Sequence, residues 1–132
     1  MVLAATPIIR SSSEFWDRMT PIVARALEKN ATHSFEDVAH GIRRGWYQFF
    51  AEGDSFMLGE SIQHPLSNSY QIWLAAGDLQ KLMEMEPHVV AWGKETGHTR
   101  AEVAGRKGWE PALKDLGYKH HTTVLVKDIT DG

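Results

Sequence analysis

The chain contains no cysteine. That absence excludes a disulfide framework, a thiol nucleophile and a cysteine-ligated zinc site. Positive charge is not in excess either: 14 Lys and Arg stand against 17 Asp and Glu, giving a formal net charge of −3 with the seven His neutral. A mildly acidic protein has no general attraction for nucleic acid or for an anionic membrane, and only a local basic patch would supply one. No apolar run approaches the length of a membrane span. The opening stretch from Met1 to Arg10 lacks the basic leader and the cleavage site of a signal peptide, and reads as an N-terminal strand or arm. Internal repeats, low-complexity tracts and a G-x-S-x-G nucleophile pattern are also missing. The histidines form no helical ligand pair, and His120 and His121 are neighbours on a predicted strand, where they point to opposite faces, so no metal is expected.

What is present is the make-up of one globular domain. At 132 residues, 42% of them hydrophobic, the chain is long enough for a core without staples and is read as a single domain over 1–132. Ser11 and Glu14 are spaced as a capping box ahead of an apolar helical face of Phe15, Met19, Ile22, Val23, Ala26 and Leu27, with Pro21 inside it and Asn30 as a stop. Ser34 and Asp37 repeat the capping-box spacing before Phe35, Val38, Ala39 and Ile42, and Gly45 closes that shorter helix. Trp46 to Ala51, Phe56 to Ile62 and Tyr70 to Leu74 then read as an antiparallel meander, with Gly53-Asp54 as its first turn. The period next changes to helical, on a stripe of Leu79, Leu82, Met83 and Val90 that also carries Glu86. Pro87 predicts a bend near Met83, and Gly97 ends the segment. A short strand over Thr99–Ala104, a helix from Trp109 to Leu116 closed by Gly117, and a last strand over Thr122–Ile129 complete the pattern. A strand–helix–strand connection of this length favours one parallel pair in an otherwise antiparallel sheet.

The third strand runs directly into Leu74-Ala75-Ala76-Gly77-Asp78-Leu79 and then into the long helix. A strand-to-helix turn can hold a phosphate with its backbone N–H groups and the helix dipole. Here the helix mouth carries Asp78, a carboxylate that caps those N–H groups by itself. The bland reading, in which Gly77 makes a tight turn and Asp78 caps a helix, is favoured over a ligand site.

The order of elements resembles that of the GNAT N-acyltransferase superfamily. The segment Gly108-Trp109-Glu110-Pro111-Ala112-Leu113-Lys114-Asp115-Leu116-Gly117-Tyr118 resembles the family's closing helix, which ends in a leucine, a glycine and an aromatic. That segment and the Ile72–Leu79 turn together resemble small GNAT-like proteins encoded by tailed bacteriophages. The resemblance implies an α+β fold with a mixed, mostly antiparallel twisted sheet, two N-terminal helices, one long central helix and one C-terminal helix. It also implies an acyl-CoA site at a turn of pattern Q/R-x-x-G-x-G/A. With the following leucine set on Leu82, Leu74 falls at the Q/R position, Gly77 at the first glycine and Leu79 at the second, so one of the three positions matches. A leucine would obstruct the approach of phosphate, and Asp78 would repel it. The tyrosine that many family members use as general acid is replaced by Leu113.

These departures turn the expected function away from catalysis, since fold and activity separate readily. The expected role is a non-catalytic virion-structural, assembly or interaction protein that needs no cofactor and works in the host cytoplasm or the particle. Its expected partners are phage or host proteins or a second copy of itself, with no membrane and with nucleic acid only through a local patch. The alternatives are a divergent N-acyltransferase using acetyl-CoA or another acyl-CoA, and a small inhibitor of a host protein. An open gap between the third and fourth strands would favour the enzyme. In that case Glu60 on its apolar strand face is the candidate general base, its carboxyl pKa raised by burial, with Glu86 a second candidate. Arg106 and Lys107, at a strand-to-helix junction, are candidate phosphate contacts, and Arg43 and Arg44 could add to them. For each, a structural or solvated role is the competing reading. Trp73 and Trp109 are expected in the core, and Trp92, off the helical stripe, would mark an interface if exposed.

Overall fold

The computed structural model describes Pro7 and residues 13–29, 32–105 and 107–130. The first helix, α1, spans Ser13–Glu28 and buries Met19, Val23 and Leu27, which lie four residues apart on one face; it runs on through Pro21. The predicted cap Ser11, the predicted stop Asn30 and, except for Pro7, the predicted strand over 1–10 lie outside the described residues. The second helix, α2, spans Phe35–Arg44 and carries the predicted capping box. The Asp37 N–H donates to Ser34 Oγ at 3.1 Å, and the Ser34 N–H donates to Asp37 Oδ2 at 2.9 Å. Gly45 closes the helix at φ 80°, a left-handed conformation open to glycine at little cost.

Four strands follow the order β1-β2-β3-β4: β1 Tyr47–Glu52, β2 Ser55–Gln63, β3 Asn68–Ala76 and β4 Arg100–Val103. The first three pair antiparallel, and β3 pairs parallel to β4, as the long crossover requires. Glu52 pairs with Ser55 across Gly53-Asp54, a two-residue hairpin turn. Between Leu58 and Gly59 the register shifts: Leu58 faces Leu74 while Gly59 faces Ile72, so β3 carries one extra residue, Trp73. The bulge sends Trp73 to the same side as Leu74.

The sheet has a core on each face. On one side α1 and α2 cover Phe49, Phe56, Leu58 and Leu74. On the other, α3 (Leu79–Glu95) covers Phe50, Met57, Tyr70, Ile72 and Ala75. The face that α3 buries is Leu82, Met85, Glu86, Val89 and Gly93. Of the predicted stripe, Leu82 and Glu86 lie on this face, Met83 and Val90 are half-buried, and Leu79 opens the helix beyond the sheet and is 47% exposed. Trp92 is half-buried against Phe50 and Tyr70. Trp73 and Trp109, expected in the core, are half-buried and packed against the two clusters.

Two expectations fail after β4. The predicted helix from Trp109 to Leu116 is shorter: a single 3-10 turn over Lys107–Trp109 leads into α4, Glu110–Lys114. The predicted last strand over Thr122–Ile129 is not formed. Residues 119–130 have no regular structure and are exposed throughout. Their alternation of β-branched residues is a strand signal only where an edge is available to pair with, and in this conformation the segment meets none.

Candidate functional site

The turn after β3 is built from Gly77 and Ser55. Gly77 has φ 132°, and a Cβ placed there would lie 2.6 Å from the Ser55 Cα, inside contact distance of backbone. The Asp78 N–H donates to the buried Ser55 Oγ at 3.2 Å. Asp78 Oδ2 accepts from the Lys81 N–H at 3.1 Å, and the Asp78 carbonyl accepts from Leu82 at 2.9 Å. The predicted cap is thus formed, and a carboxylate occupies the positive end of the helix dipole. The Leu79 side chain stands half in solvent beside the turn. Leu74 and Ala75 are buried in the two cores and Ala76 ends the strand.

Beside this turn β3 and β4 part. Their pairing ends at Ile72 and Val103, with the Ala104 N–H on the Ile72 carbonyl at 2.9 Å. From Trp73 to Ala76, β3 has no partner on that side among the described residues. The gap is backed on the α3 side by Ile72, Ala75, Glu86, Val103, Trp109 and Leu113, which leave only about 10 Å³ free. On the other side a cleft of about 300 Å³ runs between α1 and Ala76, lined also by Pro21, Ile22, Arg25, Ala26 and Lys29. The sequence reading missed Arg25 and Lys29, which are scattered in the chain and meet this cleft only because α1 crosses the end of β3.

The second half of the site is a row across all four strands. Tyr47 of β1 faces Glu60 of β2, Glu60 faces Gln71 of β3, and Gln71 faces Glu102 of β4. Residues directly opposite one another share a face, and Tyr47 packs with the α1/α2 cluster, so the row lies on that side. Gln71 Nε2 donates to Glu102 Oε1 at 3.3 Å. The loop between α1 and α2 lays His33 over the row: its Nε2 is 3.3 Å from the Tyr47 hydroxyl, and its ring is 4.6 Å from that of Trp73. Tyr47 and Trp73 meet edge to face at 5.3 Å. The Trp73 Nε1–H is buried without a partner.

The two carboxylates of the row differ. Burial raises the Glu60 pKa, opposed by the nearby His33. Glu102 is held below the usual carboxylate range, first by the Ser69 hydroxyl and then by Arg100, Gln71 and His64. Ser69 Oγ is buried and completes no well-aligned hydrogen bond, yet it lies close enough to favour the charge on Glu102. Arg100 Nε and His64 Nε2 approach Glu102 Oε2 at 3.6 and 3.8 Å. Burial, then Glu60, raises the Tyr47 pKa. The two carboxyls, separated by Gln71, thus sit in environments that favour the neutral form of Glu60 and the charged form of Glu102.

Of the other candidates, Glu86 lies on the opposite face of the sheet. It is buried beneath α3, its pKa raised by that burial, with Tyr118 as its polar neighbour. It backs the gap from the α3 side and does not reach the row of Glu60, Gln71 and Glu102. Arg43 and Arg44 end α2, with Arg44 over the Trp46 ring at 6.0 Å. Arg106 lies outside the described residues and Lys107 opens the 3-10 turn. Among the described residues no cluster of three or more His, Asp or Glu could hold a metal ion.

No family model matches the sequence, and no curated protein is significantly similar to it in sequence. Solved structures share the fold. A probable acetyltransferase superposes with a TM-score of 0.69 at 16% identity, over 92% of this chain and 97% of its own. The Thermus thermophilus protein TTHA1254 gives 0.62 at 17% identity, over 98% and 99%. An aminoglycoside acetyltransferase from an uncultured soil metagenomic sample, solved with sisomicin, gives 0.61 at 11% identity, over 90% of each chain. The fold is therefore GNAT-like, a mixed α+β sheet with helices on both faces.

Proposed function

We propose that this protein keeps the acceptor half of an acetyltransferase-like fold and has given up the donor half, acting as a non-catalytic interaction protein that recognises a cationic group. The observation that carries this is the turn after β3. Two N–H groups of the turn, those of Asp78 and Lys81, are engaged by Ser55 and by the Asp78 carboxylate, and the carboxylate at the helix mouth repels a second anion. The row of Glu60, Gln71 and Glu102, walled by Tyr47, Trp73 and His33, remains suited to a lysine or arginine side chain: carboxylates meet the charge and aromatic faces meet the stem. The resemblance to small phage-encoded proteins supports a place in the virion or its assembly, in the host cytoplasm or the particle, and an inhibitor of a host protein would use the same surface. The test is calorimetry with lysine- and arginine-bearing peptides. Binding that is weakened by Glu60→Gln and by Glu102→Gln supports the reading. The absence of binding to any cationic peptide contradicts it. Mass spectrometry of purified particles separates the virion from the inhibitor role.

A second reading, an acyl-CoA-dependent N-acyltransferase, is favoured by one observation, the parting of β3 and β4. In it Glu60 takes a proton from the bound amine, and Arg25 and Lys29 compensate for the lost turn by meeting the donor's phosphates. Acyl transfer to any amine, abolished by Glu60→Gln, would establish it.

A further inference from the structure

We infer that residues 122–129 form the fifth strand of a second copy of this chain, laid along the free edge of its β4, in a reciprocal exchange that makes the protein a two-fold dimer.

The segment has the composition of a strand and the surroundings of none. Val124, Leu125, Val126 and Ile129 are 78%, 89%, 91% and 81% exposed, half of the exposed large hydrophobics among the described residues. The chain presents 9177 Å² to solvent, against roughly 7,000 Å² for a compact monomer of its 14.9 kDa, and this segment is part of that excess. Its start is fixed: the turn after α4 is closed by hydrogen bonds from Gly117 to Lys114 and from Tyr118 to Leu113, and Tyr118 is half-buried against α3 through Glu86. From Lys119 to Thr130 every residue is exposed.

An edge of matching kind stands open in the same chain. β4 ends the sheet, with β3 on one side and no strand on the other among the described residues. The Ala104 N–H points to β3, so by the two-residue period the backbone groups of Ala101 and Val103 point outward. An unpaired edge beside an unpaired apolar segment is a template for pairing between chains. Each copy carries one edge and one segment, so a single two-fold operation satisfies all four and closes the assembly.

Side-chain chemistry fits this occupant. Val103 faces the apolar α3 side and Glu102 the opposite side. If Val124 and Val126 continue the Val103 face, the alternation puts Leu125 and Lys127 on the face of Glu102, where the lysine meets a carboxylate. This inference does not depend on the proposed function.

Sedimentation equilibrium of the full chain, with hydrogen exchange followed by mass spectrometry, tests it. The expected result is a dimer whose 122–129 amides are protected. Val124→Asp with Val126→Asp, two positions exposed within the chain, and Ala101→Pro, which blocks the outer edge, should each give a folded monomer with those amides unprotected. Circular dichroism verifies the fold of each. A wild-type monomer at every concentration overturns the inference. So does a dimer that survives either change, or a monomer with 122–129 protected, which would mean pairing to the chain's own edge.

Discussion

The two ends of β3 handle charge in opposite ways. At its C-terminal end, Ser55 and the Asp78 carboxylate take up two N–H groups of the turn, those of Asp78 and Lys81, and the positive end of α3 faces a carboxylate of its own chain. Toward its N-terminal end, Gln71 joins a row in which Glu60 has a histidine and a tyrosine for neighbours but no direct cation partner among the described residues. One end already holds a carboxylate of its own chain, and the other holds a carboxyl without a direct cation partner among the described residues. The two arrangements differ by a handful of residues on one strand of the same sheet.

The largest effect should come from the turn's backbone. Gly77→Val forces a branched side chain into a left-handed conformation and into Ser55, and should cost about 3 kcal/mol in urea unfolding. A cost under about 1 kcal/mol would mean that the turn yields easily, and that its closure against phosphate is soft. Next, Asp78→Ala removes the cap and should cost about 1 kcal/mol. It should also raise affinity for acetyl-CoA, and calorimetry showing no gain would mean that Asp78 is not what closes the site.

Smaller shifts of opposite sign should separate the carboxyls. Glu60 and Glu86 have pKa values raised in the folded state. The folded form therefore holds more protons than the unfolded form between the unfolded and folded values, and these groups lose stability as pH rises through that window. Glu60→Gln and Glu86→Gln should each raise the midpoint of thermal unfolding at pH 7. Glu102 is lowered, so its contribution is present at pH 7 and lost as pH falls through its folded value; Glu102→Gln should lower the pH 7 midpoint. Equal signs for all three would remove the distinction drawn within the row. The smallest effect is expected for Leu79→Gly. The Leu79 side chain is 47% exposed, so the change should leave acetyl-CoA affinity where it was, unless combined with Asp78→Ala.

Much of this arrangement was legible in the sequence because it is local. The capping box at Ser34 and Asp37, the cap at Asp78 and the hairpin at Gly53-Asp54 each follow from neighbours in the chain. The hairpin carries further than it was read. A two-residue turn with Glu52 opposite Ser55 fixes Tyr47 opposite Glu60, since 47 and 60 sum to the same number as 52 and 55. Trp73 was not legible as a wall of the row, because its direction depends on a bulge that neither strand announces. The α3 stripe holds at Leu82 and Glu86 and fails at Leu79, which is apolar yet precedes the first contact with the sheet. The segment 122–129 was read as a strand from its alternation, and alternation says nothing about whether an edge lies within reach.

The central claim is that the turn after β3 no longer accepts a diphosphate. Isothermal titration of the wild-type chain with acetyl-CoA tests it directly. The account predicts no binding heat in the micromolar range, with binding gained in Asp78→Ala. A one-to-one isotherm of micromolar affinity in the wild type would contradict it.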